Sequence, residues 1–156
     1  MWAYFDASAL VKRYVDEAGR PDVLRLLRRY DVVTSAIVPI ELRSALRRRV
    51  AGGTLDEERV PEILKRVATE RGMWALIEMS HDVLVAAEAL VARHPLRALD
   101  AIHVGSAQLF AARVTTPELL FVSADRRQTE AAAAIGLATK HIALISDAAT
   151  RHEPFR

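Results

Sequence analysis

The chain has 156 residues, of which 51% are hydrophobic and 27% are charged, so disordered and fibrous classes are excluded. The length predicts one domain over residues 1–156. No Cys is present, which excludes disulfides and Cys-ligated zinc. The N-terminal residues lack a secretory signal and no apolar run approaches the roughly 18 residues of a membrane span, so we expect a cytoplasmic protein with no membrane partner. A net charge of +2 indicates no partner by itself.

The first third of the chain alternates short apolar runs with helical patterns. Residues 2–5 predict a strand, and Ser8 then predicts the cap of a helix that Gly19 ends. Pro21 suits the first turn of a second helix. The β-branched residues 32–34 predict the next strand.

Two helices joined by a glycine turn are predicted next. The first runs from Val38 to the glycine pair at positions 52 and 53. Thr54 and Glu57 have the spacing of a capping box that opens the second helix, and Gly72 closes it. Together they predict a helical hairpin.

The rest of the chain repeats the alternation. Strands or extended segments are predicted at 74–79, 119–122 and 141–145, and helices from Ser80 to near Pro95, at 99–113 up to a break at Pro117, and at 126–135 before Gly136. Short apolar strands between helices predict an α/β fold with a mostly parallel central sheet covered on both faces.

Acidic residues stand at the ends of two predicted strands. Asp6 ends the first strand, and Asp125 follows the strand at 119–122. In an open α/β sheet the carboxyl ends of the strands face one crevice, so both acids are expected there. Each could equally cap the helix that follows it, since Asp is favoured at that position.

Two further acids lie on predicted helices. Glu41 shares or borders the apolar face that begins at Val38, where a lone buried carboxylate would cost several kcal/mol, although a flank position reaching water is common for Glu. Asp100 opens a helix with almost no other polar residue except His103. That His fits a hydrogen-bonded core residue better than a metal ligand.

The four acids are informative as a set. Carboxylates gathered in one cleft repel each other unless a cation is supplied, and no Lys or Arg is placed to pair with all four. A hard divalent ion, Mg²⁺ or Mn²⁺, accepts such oxygen ligands.

Four motifs of the chain resemble those of PIN-domain proteins, most closely the VapC toxins of VapBC toxin–antitoxin pairs. They are Asp6-Ala7-Ser8, Ile40-Glu41-Leu42, residues 96–103 around Asp100, and residues 123–127 followed by Gly136. The resemblance implies a Rossmann-like three-layer α/β/α sandwich with a helical hairpin after the second strand.

The resemblance also implies a metal-dependent ribonuclease. Its catalytic quartet would be Asp6, Glu41, Asp100 and Asp125, with Asp6, Asp100 and Asp125 as the ligands of Mg²⁺ or Mn²⁺ and Ser8 and Ser123 as supporting hydroxyls. The chain departs from the family in two places. Ser123 stands where Thr is frequent, and Arg126 and Arg127 follow Asp125 where some members carry a further acid.

Basic residues near these motifs are candidates for RNA binding. With four acids committed to an ion, the remaining charge is positive, and phosphates would be attracted to Arg43, Arg47, Arg97 and Arg126. A solvated arginine face explains any one of them equally well.

The family further implies a VapB-type antitoxin that blocks the cleft, and a homodimer. The small residues 105–107 suit a partner chain or ordinary core packing. A non-catalytic RNA-binding or antitoxin-binding module is the alternative function. Phosphatases and receiver domains that also place Asp after the first strand need a second acid close to Asp6, which this chain lacks.

Overall fold

The computed structural model describes residues 1–114 and 119–143, which include a five-stranded sheet. The strands are β1 (Trp2–Phe5), β2 (Asp31–Ser35), β3 (Ala75–Ile77), β4 (Leu120–Ser123) and β5 (Ala138–His141). Their order in the sheet is β3-β2-β1-β4-β5, and every neighbouring pair is parallel. The predicted α/β fold with a parallel sheet is confirmed.

Seven α-helices lie among the described residues. They are α1 (Ala7–Leu10), α2 (Arg20–Leu27), α3 (Val38–Ala51), α4 (Val60–Glu70), α5 (His81–Val91), α6 (Ala98–Arg113) and α7 (Arg126–Ala134). Along the chain, α3 and α4 follow β2 and precede β3, which is the position predicted for the helical hairpin. Over residues 1–114 and 119–143, no helix has both the length and the apolar character needed to cross a membrane.

The central strand β1 is buried on both faces. Ala3 and Phe5 pack into one apolar cluster with side chains of α1 to α4, whereas Tyr4 packs into a second cluster with side chains of α5 to α7. Successive strand residues point to opposite faces, so this division follows directly from the period of two. Helices therefore cover both faces of the sheet.

The first helix is capped by Asp6, one of the two residues that the sequence offers as its cap. Asp6 has an extended backbone and its side chain accepts from the Ala9 N–H, so Asp6 and not Ser8 is the cap. The α-helix then ends at Leu10 and continues as a short 3₁₀ turn. Gly19 does not end this helix, because it stands in the left-handed conformation immediately before α2.

The predicted capping box of the fourth helix is also wrong. The Thr54 hydroxyl donates to the Arg49 carbonyl at the end of α3, 3.2 Å away, so it is not available to α4. A 3₁₀ turn over Glu57–Arg59 precedes α4, which has no side-chain cap and stops at Glu70, before Gly72.

The last strand lies earlier than predicted. Strand β5 spans Ala138–His141, not residues 141–145, and the end of that predicted segment, like Pro117, is outside the described residues. Among the strands of residues 1–114 and 119–143, β5 pairs with β4 alone, and its polar composition suits a sheet edge. An apolar run was therefore the wrong signal for it.

Candidate active site

One broad cleft opens at the carboxyl ends of the central strands. Asp6 follows β1 and Asp125 follows β4, and these strands are neighbours in the sheet, with Phe5 opposite Val122. The cleft has a volume of about 1620 Å³, and all four predicted acids line it: Asp6, Glu41, Asp100 and Asp125. Four separate helix starts and strand ends thus contribute to one surface.

Asp6 is the most deeply buried of these acids, with 1% of its surface exposed. Its oxygens accept from the Ser8 hydroxyl at 2.7 and 2.9 Å, from the Ala9 N–H at 2.9 Å and from the Ser123 hydroxyl at 2.8 Å. Burial raises the pKa of Asp6, although nearby His103 and these hydrogen bonds oppose the rise. Among the described residues, Asp6 has no Lys or Arg partner.

The two predicted serines hold Asp6 in place. The Ser8 oxygen also accepts from the Ala124 N–H, and the Ser123 oxygen accepts from the Asp125 N–H, each at 2.9 Å. Because the backbone amides use the acceptor side of both hydroxyls, their hydrogens are directed to Asp6. The loop between β4 and α7 is thereby connected to the start of α1.

Glu41 is held by a chain of hydrogen bonds that begins in the central strand. The Tyr4 hydroxyl lies 2.9 Å from His103 Nδ1, and His103 Nε2 lies 2.7 Å from Glu41 Oε2. Burial raises the pKa of Tyr4 well above its ordinary value, so the phenol keeps its proton. His103 joins Tyr4 to Glu41 through its two ring nitrogens, and it is a hydrogen-bonded core residue as the sequence favoured.

Asp100 accepts one hydrogen bond on each oxygen. The Arg97 N–H donates to Oδ2 at 3.3 Å, and the Gln128 side-chain amide donates to Oδ1 at 3.0 Å. Gln128 was not predicted as a site residue, although its position after Asp125 in the sequence is a recognisable pattern. Gln at the third helical position after an Asp cap is typical of a capping box, but here its side chain reaches Asp100 instead.

Asp125 has a cationic partner within the protein. The Arg127 N–H donates to Oδ1 at 2.8 Å, and the Arg127 guanidinium donates to Oδ2 at 3.0 Å. Burial, the largest single influence, raises the pKa of Asp125, but the hydrogen bonds and charge of Arg127 outweigh it and the pKa is lowered. Asp125 also caps α7, so the two alternatives considered for this residue are both realised.

The donor set suits a hard divalent ion in its chemistry. Carboxylate and hydroxyl oxygens line the cleft, and a buried Asp6 without a cationic partner is the group whose charge a bound cation would compensate. No three His, Asp or Glu side chains in the described ranges are already grouped for one ion. An ion bound to one or two of these carboxylates would complete its shell with water, as Mg²⁺ commonly does.

The four candidate substrate residues are divided between the cleft and the outer surface. Arg97 and Arg126 line the cleft, and neither makes an ion pair with another described residue. Arg43 and Arg47 are outside the cleft lining, and Arg47 pairs with Glu57 on the exposed surface at 2.9 Å.

A second group of charges in the cleft was not predicted. The buried Lys12 ammonium donates to Glu17 and to the Ala18 carbonyl, each at 2.9 Å, and Arg49 donates to the same Glu17 at 2.8 Å. The signal was a Lys within the apolar run of the first helix, which requires a buried partner.

The sequence model of the PIN domain family matches residues 3–134. This chain belongs to the PIN domain family. PIN domains are generally nucleases, so membership supports a hydrolase that acts on nucleic acid. No curated protein sequence matches the chain at a significant level.

Several solved structures have the same fold as this chain. A toxin–antitoxin complex from Klebsiella pneumoniae aligns with a TM-score of 0.59 at 19% identity, over 81% of this chain and 88% of that one. FitAcB from Neisseria gonorrhoeae aligns with a TM-score of 0.57 at 17% identity, over 88% and 95%. FitAB bound to an IR36 DNA fragment aligns with a TM-score of 0.61 at 14% identity, over 89% and 94%. At these identities the likeness concerns the fold.

In this PIN domain the sequence-predicted acids and serines are brought together. The acids line one cleft, and Ser8 and Ser123 contact the most buried acid directly. His103, which the sequence favoured as a hydrogen-bonded core residue, contacts Glu41, and Gln128, which the sequence did not identify, contacts Asp100.

Proposed function

We propose that this PIN domain is a metal-dependent endoribonuclease of the VapC type, the toxin of a toxin–antitoxin pair. It would hydrolyse RNA phosphodiester bonds at the cleft lined by Asp6, Glu41, Asp100 and Asp125. One observation carries the proposal: Asp6 is buried beside no Lys or Arg of the described residues, in a cleft that three more carboxylates share. A phosphate next to these carboxylates would be repelled by them unless a cation lay between the phosphate and the carboxylates.

The reaction needs a strong nucleophile and a counter-charge for the phosphorane-like transition state. Bound Mg²⁺ or Mn²⁺ supplies both, by acidifying water and by neutralising phosphate oxygens. Asp6, Asp100 and Asp125 would hold the ion. The serine hydroxyls fix the orientation of Asp6 for this role.

Glu41 would orient the attacking water. Its Oε2 is engaged by His103, whereas its Oε1 has no hydrogen-bond partner among the described residues. That oxygen is therefore the acceptor through which Glu41 would bind a water proton. His103 limits the directions in which the carboxylate can turn.

Asp125 contributes under a different constraint. Both of its oxygens accept from Arg127, but a carboxylate oxygen has two lone pairs, so Asp125 would bind an ion through Oδ2 while the Arg127 guanidinium stays beside it. Arg127 would then contact a phosphate bound at the same place. Arg97 and Arg126, which line the cleft without ion pairs to described residues, would bind neighbouring phosphates of the RNA.

An antitoxin would cover the same cleft. The toxin–antitoxin complex from Klebsiella pneumoniae, which has the same fold, supports such a partner for this chain. Ile40 is 72% exposed and Leu99 is 49% exposed, and both line the cleft next to Glu41 and Asp100. An antitoxin segment with apolar side chains beside a basic one would match this surface. The family pattern adds a homodimer to the proposal.

Cleavage of an end-labelled RNA tests the function. The wild-type protein should cleave in Mg²⁺ or Mn²⁺ and stop in excess EDTA, and Asp6→Asn, purified identically, should lose nearly all activity. Asp22→Asn is the matched control, because Asp22 pairs with Arg25 on the exposed surface. RNA binding without cleavage by the wild-type protein would favour the non-catalytic module instead.

The toxin role has its own readout. Induced expression should arrest growth in the wild type and not in Asp6→Asn. Co-expression of a short neighbouring open reading frame that encodes a small DNA-binding protein should relieve the arrest. A wild-type protein that cleaves RNA but never arrests growth would contradict the toxin role alone.

A further inference from the structure

The buried side chain of Gln128 makes a hydrogen bond through its amide nitrogen but none to a described residue through its amide oxygen. It is 4% exposed and lies in the first turn of α7, on the wall of the cleft. Its Nε2 donates to Asp100 Oδ1 at 3.0 Å. Its Oε1 is buried and has no hydrogen-bond partner among the described residues.

The chemistry of Asp100 determines which way the amide faces. An ionised carboxylate only accepts hydrogen bonds, so the NH₂ group of Gln128 must face Asp100 and the carbonyl oxygen must face away. Rotating the amide to find a donor for Oε1 would bring two oxygens together. The unpaired oxygen is thus a consequence of the hydrogen bond to Asp100.

A side chain with these properties does not favour folding. A buried acceptor without a donor costs free energy, whereas an apolar side chain of similar length would fill the same space without that cost. Natural sequences keep such groups where they serve a function. We therefore expect Gln128 to contribute to function through Asp100, the residue to which it donates a hydrogen bond.

Gln128 completes the immobilisation of Asp100. The Arg97 N–H already engages Oδ2, so the bond from Gln128 to Oδ1 leaves neither oxygen free to rotate. Gln128 also lies on the helix that Asp125 caps, and α6 packs against α7. One side chain thereby links the carboxylate on α6 to the helix that begins at Asp125.

We propose that Gln128 is a positioning residue that fixes Asp100 for a divalent ion and is retained at a cost in stability. This inference rests on the proposed function, because it specifies how that ion site is held. Removing an outer partner of a metal ligand typically weakens metal affinity 10- to 100-fold, by an order-of-magnitude estimate. A purely structural Gln128 would instead contribute to the melting temperature.

The test compares Mn²⁺ affinity with thermal stability in Gln128→Met, which keeps the length and removes both polar atoms. Electron paramagnetic resonance of free Mn²⁺ gives the dissociation constant, and calorimetric melting in EDTA gives the Tm. We expect the dissociation constant for Mn²⁺ to be at least about tenfold larger than that of the wild type. The Tm should be equal to or above that of the wild type. Gln108→Met, the same substitution at an exposed position of α6, should change neither.

A second variant guards against misfolding of the first. Gln128→Asn keeps the amide but is one methylene shorter, so it too should weaken Mn²⁺ binding because it falls short of Asp100. Unchanged Mn²⁺ affinity in a folded Gln128 variant, with normal binding by the wild type, overturns the positioning role alone. A wild-type protein that binds no Mn²⁺ overturns the proposed function and this inference with it.

Discussion

His103 Nε2 and Glu41 Oε2 lie 2.7 Å apart at the edge of the cleft. The other ring nitrogen lies 2.9 Å from the hydroxyl of Tyr4, whose ring stacks on Phe121 with centroids 5.4 Å apart. A residue of the central strand therefore holds the ring whose other nitrogen contacts Glu41. Core packing and the orientation of a cleft acid are connected through two hydrogen bonds.

Tyr4→Phe tests this connection. The variant leaves His103 Nδ1 buried without its hydrogen-bond partner, so the free energy of unfolding should fall by about 1–2 kcal/mol in urea denaturation. The ¹⁵N shifts of the His103 ring should change, because Nδ1 loses the hydrogen bond to Tyr4. Tyr30→Phe, which removes a hydroxyl with no hydrogen bond to a described residue, should change stability by less than about 0.5 kcal/mol. Unchanged ¹⁵N shifts of the His103 ring in Tyr4→Phe would contradict this chain of hydrogen bonds.

Asp6→Asn should stabilise the metal-free protein at neutral pH. Burial raises the folded-state pKa of Asp6 above its unfolded value, so ionisation destabilises the fold as pH rises between the two and the full cost remains above the folded pKa. Asn keeps an acceptor for the Ala9 N–H, and both serine hydroxyls can reverse to accept from its NH₂ group.

Urea denaturation in EDTA measures this effect at two pH values. The gain should be about 1 kcal/mol at pH 7 and should shrink toward zero as the solution is acidified below the unfolded pKa of Asp. A loss of stability at pH 7 would mean that the hydrogen bonds around Asp6 outweigh its desolvation.

Glu70 should show the opposite pH dependence. It accepts from Arg13 and from the Tyr14 hydroxyl, and although burial, the largest influence, raises its pKa, these bonds outweigh burial and lower it. The stabilisation is present above the unfolded pKa and is lost as pH falls through the folded one. With solvent screening, Glu70→Gln should cost about 1 kcal/mol at pH 7.

The cost of Glu70→Gln should disappear in acid, as followed by thermal melting across pH. Glu62→Gln is the control, because Glu62 is exposed on the same helix and makes no ion pair with a described residue. A cost that persists unchanged at low pH would assign the role of Glu70 to packing.

Gly19→Ala should be severely destabilising for two separable reasons. Gly19 has a φ of 83°, and a Cβ there would clash with the Ile142 side chain and lie 2.9 Å from the Ala143 carbonyl oxygen. Gly53 has a φ of 68° with nothing within 4 Å, so Gly53→Ala measures the backbone strain alone. We expect about 1 kcal/mol for Gly53→Ala and about 3 kcal/mol for Gly19→Ala by urea denaturation. Equal costs would show that Ile142 and Ala143 move aside.

The sequence predicts those features that depend on local periodicity. Strand β1 and the acid after it were predictable, because a short apolar run indicates a buried strand and the Asp that follows it marks where that strand ends. The side-chain partners were not predictable. Gln128 reaches Asp100 on another helix, and Arg49 reaches Glu17 across 32 positions, so only the packed structure brings these groups together. The sequence offered both Asp6 and Ser8 as the cap of the first helix, because each carries a good capping side chain, and only the structure decides between them.

The central claim is that a divalent ion is bound through the buried Asp6. Calorimetric titration of the metal-free protein with Mn²⁺ tests it most directly, with Asp22→Asn as the surface control. We predict a saturable binding heat in the wild type and in Asp22→Asn, and its loss in folded Asp6→Asn. Equal Mn²⁺ binding by the wild type and Asp6→Asn, or none by the wild type, would contradict the account.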